Sequence, residues 1–67
     1  MVTEIMLKKM IKDWQDECLV CTDKKGNLKK VSHARFGLLW VKEKGEWKTI
    51  ELMKGAKKYE SEIWSSL

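Results

Sequence analysis

Sixty-seven residues, 36% of them charged and with a net charge of +4, make one domain (1–67) with room for a single core. A chain this short buries only about 60% of the surface that its unfolded form exposes, so a few large side chains must carry the packing. Two cysteines exclude a disulfide framework, and apolar runs no longer than four residues, such as Leu38-Leu39-Trp40-Val41, exclude a membrane-spanning helix.

Residues 3–16 carry the pattern of an amphipathic helix. Thr3 suits the N-cap, and Glu4 sits in the first turn, where the helix dipole favours an acid. Leu7, Met10, Ile11, Trp14 and Cys18 recur at three- and four-residue spacing as one apolar stripe. Lys8, Lys9 and Lys12 interrupt the apolar residues, so no signal-peptide pattern is present. Free thiols and the absence of such a pattern lead to the expectation of a soluble, cytoplasmic protein.

After Glu17 the pattern changes to strands. Cys18-Leu-Val-Cys-Thr22 suits a pleated surface, and Asp23-Lys-Lys-Gly26 has Asp first and Gly fourth, as in a type I turn closed by a glycine bulge. Leu28 to His33 is the expected return, giving a hairpin over 18–33. Lys42-Glu-Lys-Gly45 repeats the turn spacing and predicts a second hairpin over 37–52. With three-residue loops at both turns, Thr22 faces Leu28, Leu19 faces Val31, Val41 faces Trp47 and Trp40 faces Lys48. The second hairpin then has two apolar faces, Leu39/Val41/Trp47 and Leu38/Trp40/Ile50/Leu52.

Residues 55–66 fit a short helix through Ala56, Tyr59, Ile63 and Leu67, with a strand as the alternative. The expected fold is therefore α+β: an N-terminal amphipathic helix, a four-stranded antiparallel meander and a C-terminal helix or strand. Two apolar faces on one hairpin call for a second cover or for a sheet curled into a small barrel. This order of elements resembles that of SH3-like and Sm-like small barrels, without their sequence motifs.

The groups that could carry chemistry are few. Cys18 and Cys21 have a metal-like spacing, but only His33 is left as a third ligand, and residues three apart on a strand point to opposite faces. The thiols are expected to behave as small buried hydrophobes. His33 is expected at the surface within the basic segment, and Ser32 beside it points the other way, so no base–nucleophile pair forms. No cofactor and no catalytic residue is expected, and the protein is read as a non-enzyme.

Charge distribution is the strongest functional signal. Lys24 to Lys42 holds Lys24, Lys25, Lys29, Lys30, Arg35 and Lys42 without one acid, whereas the rest of the chain holds eight bases and ten acids. On a strand, Lys29, Val31, His33 and Arg35 share a face, a row suited to phosphates. Trp40, Trp47 and Phe36 are candidates for stacking on bases. The expectation is a DNA- or RNA-binding protein that uses Lys24, Lys25, Lys29, Lys30, Arg35, Trp40 and Trp47. The same lysines also serve solubility on hairpin tips and edges. The alternative is a protein-binding inhibitor or adaptor of the kind that phages and other mobile elements direct at a host protein, with Trp residues as anchors. Exposed sheet edges and a surplus of large apolar residues also invite a homodimer.

Overall fold

The computed structural model describes all 67 residues. Helix α1 runs over Glu4–Asp13, and the Thr3 hydroxyl caps it by accepting from the Met6 N–H at 3.3 Å. Trp14 ends the helix, Gln15–Glu17 form a single 3₁₀ turn, and β1 follows at Cys18–Thr22. Strands β2 (Leu28–His33), β3 (Leu38–Glu43) and β4 (Glu46–Glu51) complete an antiparallel sheet in the order β1-β2-β3-β4. A 3₁₀ turn at Ala56–Tyr59 leads into helix α2 at Glu60–Ser65. The sheet stays open, with β1 and β4 as its two edges, so no barrel closes.

The first turn follows its sequence chemistry. The Gly26 N–H donates to the Asp23 carbonyl at 3.0 Å, and Gly26 has φ 84°. The Asp23 Oδ1 accepts from the Lys25 and Asn27 N–H groups at 2.8 and 2.9 Å. Those bonds hold its carboxyl below the ordinary carboxylate range, with the Asn27 N–H the larger cause. Thr22 faces Leu28 as expected, but a bulge follows, so Cys21 faces Lys30 and Lys29 is the extra residue. Leu19 therefore faces Ser32 rather than Val31. The bulge is what lets Leu28 and Val31, three apart, both point into the core.

The second turn differs from the first. Glu43 faces Glu46, so the loop is Lys44-Gly45 alone, with φ 49° and 80°. Positive φ at both positions is the type I′ geometry, which matches strand twist better than a type I turn does. Lys42 has no side-chain acceptor to hold the longer loop as Asp23 does. The register therefore moves by one: Trp40 faces Thr49, Val41 faces Lys48 and Leu39 faces Ile50. Trp47 and Ile50 thereby exchange faces relative to the expected arrangement.

Both helices lie against the same face of the sheet. Leu7 and Met10 of α1, Ala56 and Ile63 of the C-terminal segment, and Leu28, Val31, Leu38 and Trp40 of the sheet form the core. Glu60 pins this layer, because its Oε2 accepts from the Trp40 indole N–H at 2.9 Å and from the Thr49 hydroxyl. The opposite face has no cover. Its first row is Leu19, Ser32, Leu39 and Ile50, its second is Cys21, Lys30, Val41 and Lys48, and Leu52 extends it beyond β4. No helix is long and apolar enough to cross a membrane.

Candidate nucleic-acid interface

In an antiparallel meander alternate turns lie at the same end, so the β1–β2 and β3–β4 turns sit side by side. Lys24, Lys25, Lys29 and Lys30 come from the first hairpin, and Lys44 from the second turn joins them. All five are exposed, and none lies within 4 Å of a carboxylate. Lys42 and Lys48 are at this end too, but Lys42 pairs with Glu4 at 3.8 Å and Lys48 with Glu43 at 3.0 Å. A shallow groove between the two hairpins and the start of α1 is lined by Glu4, Asp23, Asn27, Leu28, Lys29 and Lys42. Its two carboxylates make the groove itself unsuited to phosphate, and at the second tip Glu43 and Glu46 flank Lys44.

Arg35 is not part of this cluster. It follows β2 at the other end of the sheet, where it pairs with Glu17 at 3.6 Å and lies 5.8 Å from the Trp14 ring centre. The expected row of Lys29, Val31, His33 and Arg35 is not formed. Val31 and His33 turn into the core, Lys29 occupies the bulge, and Arg35 lies beyond the strand.

The aromatic residues also differ from expectation. Trp40 is 0% exposed and its indole N–H is committed to Glu60, so it cannot stack on a base. Trp47 is half-buried, with the Lys42 ammonium 5.9 Å from its ring centre, and it remains the one candidate stacking ring near the lysines. Phe36 stacks on Tyr59 at 5.3 Å, at the Arg35 end of the molecule. No aromatic side chain lies on the uncovered face of the sheet.

His33 is fully buried rather than at the surface. Its ring lies 5.1 Å from Trp14 and 4.7 Å from Phe36, and neither ring nitrogen has a hydrogen-bond partner. Burial, the dominant cause, pushes its pKa below the ordinary histidine value; the Glu17 carboxylate opposes this and Arg35 reinforces it. Cys18 is directly opposite His33 and half-buried, with a thiol pKa raised by burial and then by Glu17. Cys21 points to the other face and is exposed, so the two thiols are not both packed. Cys18, Cys21 and His33 do not converge, and no three His, Cys, Asp or Glu side chains form a metal-holding cluster.

The gathering of Lys44 with the first hairpin was missed at the level of sequence, although a meander of two hairpins implies it. The split of the basic segment, lysines to one end and Arg35 and Phe36 to the other, carries no local signal because it follows from strand length and the bulge. Comparison with protein-family models, curated proteins and solved structures finds no match, so the functional reading rests on the residues themselves.

Proposed function

We propose that this chain is a non-enzymatic binding protein that grips nucleic-acid phosphates with the turn end of its sheet. The observation that carries the reading is the cluster of five exposed, unpaired lysines, Lys24, Lys25, Lys29 and Lys30 from the first hairpin and Lys44 from the second turn. Phosphate contacts of this kind are sequence-independent and steeply salt-dependent. With Trp40 buried and Trp47 half-buried beside Lys42, base stacking contributes little, and single and double strands bind comparably.

Fluorescence anisotropy with labelled duplex and single-stranded DNA and RNA tests this. If all five lysines engage duplex phosphates, log affinity falls against log salt with a slope of about −4.5. Lys29→Glu combined with Lys30→Glu abolishes binding without altering the fold. Absence of binding at low salt, or binding unchanged in that double variant, refutes the reading.

A second reading has its own observation. The uncovered face carries Leu19, Leu39, Ile50 and Leu52, and an exposed apolar face of this kind suits a protein partner. Ile50→Lys separates the two: it spares nucleic-acid binding and removes a protein contact made by that face.

A further inference from the structure

The edge strand β1 differs from the other three. It reads Cys-Leu-Val-Cys-Thr without one charged side chain, whereas β2, β3 and β4 each carry lysine or glutamate. It pairs with β2 on one side only, so alternate backbone N–H and C=O groups on its other side face solvent. Leu19 is 70% and Val20 42% exposed. Folded proteins guard such edges with lysine, proline, inward charges or bulges; β4 has Glu46, Lys48 and Glu51, whereas β1 has only the bulge opposite its last residues and no charged side chain.

The charges flanking β1 indicate what pairs with it. Asp16 and Glu17 precede the strand, and Lys24 and Lys25 follow it beyond Asp23. A second copy laid antiparallel along the edge, with a two-fold axis at Val20, sets Asp16 of each copy opposite Lys24 of the other, while Glu17, opposite Asp23, keeps its own partner Arg35. Parallel addition would set acid beside acid. The two-fold register opposes Val20 to its own counterpart, Leu19 to Cys21 and Cys18 to Thr22, so every side chain meets one from the same face. A neutral strand also allows two chains of net charge +4 to approach closely.

We propose that β1 is a self-pairing edge through which two copies of this chain join into one continuous antiparallel sheet. Lys24 and Lys25 are the only residues shared with the phosphate surface; Lys29, Lys30 and Lys44 stay free of the pairing. Failure of one idea therefore leaves the other standing.

Sedimentation equilibrium on the purified chain, without nucleic acid and from about 5 to 500 μM, tests the pairing. The expected mass rises from 7.9 kDa toward twice that value. High salt weakens the dimer because the flanking charges are exposed. Val20→Lys places two ammonium groups face to face on the axis and raises the dissociation constant at least about tenfold. Leu19→Lys, at a mostly exposed position, does the same and keeps the test intact if the Val20 variant misfolds. Hydrogen exchange of the β1 amides slows with protein concentration in the unaltered chain and not in the variants. A single-chain mass at every concentration, or a dimer indifferent to both substitutions, overturns the proposal.

Discussion

The sheet has two faces that are both apolar and yet are built differently. The face beneath the helices gathers Trp40, Trp47, His33 and Leu38, and it ends the polar reach of Trp40 on Glu60. The other face is aliphatic, with Leu19, Leu39, Val41 and Ile50 among Lys30 and Lys48, and nothing lies over it. The difference comes from register rather than composition. A two-residue turn at Lys44-Gly45 sends Trp47 inward and Ile50 outward, and a three-residue turn would have reversed them. In so small a domain one turn decides which large side chains stabilise the fold and which are left for partners.

Substitutions on the two faces break or sharpen this contrast. The largest effect is expected from Trp40→Ala, which empties the centre of the core and costs about 3–5 kcal/mol. That is comparable to the whole stability of a small domain, so the variant should be largely unfolded by circular dichroism at 25 °C. Next comes Glu60→Ala, which leaves the buried indole N–H without its acceptor and frees the Thr49 hydroxyl. It should cost about 1–3 kcal/mol in urea denaturation. If the loss is negligible, Glu60 does not fasten α2 to the sheet.

A third effect is one of pH. His33 has a folded-state pKa below that of the unfolded chain, so beneath about pH 6.5 the unfolded state binds more protons. Stability therefore falls as pH drops below 6.5, by at most about 1.4 kcal/mol per unit, and is unaffected by this group above neutrality. His33→Leu should flatten the stability profile between pH 7 and 5; a profile unchanged by the substitution would mean the ring ionises freely in the fold. The smallest effect belongs to the open face, where Ile50→Thr should change stability by no more than about 0.5 kcal/mol. A large loss there would show that Ile50 is covered in solution.

Much of the backbone was legible from local chemistry. Thr3 marked the start of α1, Asp23 and Gly26 marked the first turn, and Ala56 and Ile63 marked the helical C-terminal segment. What was not legible depended on contacts distant in sequence. A lysine in the left-handed region at position 44 has no local signature, and the bulge at Lys29 is visible only once Leu28 and Val31 must both reach the core. His33 is buried because Trp14 and Phe36 close around it, residues that lie on either side of it in the chain. Of the candidate interface, the exposed lysines of the first hairpin were readable from charge alone. The loss of Trp40 to the core and of Arg35 to the other end was not.

The strictly neighbour-to-neighbour order of the strands also bears on how the chain folds. Each strand meets only the one before or after it, so pairing the sheet requires no long loop to close first. Such local topology belongs with rapid folding, and the hairpin with the preformed Asp23 turn is the natural place for it to begin. The meeting of α1 with α2 joins elements near the two ends of the chain. Of the contacts between elements, that one spans the longest stretch of chain and so carries the greatest closure entropy.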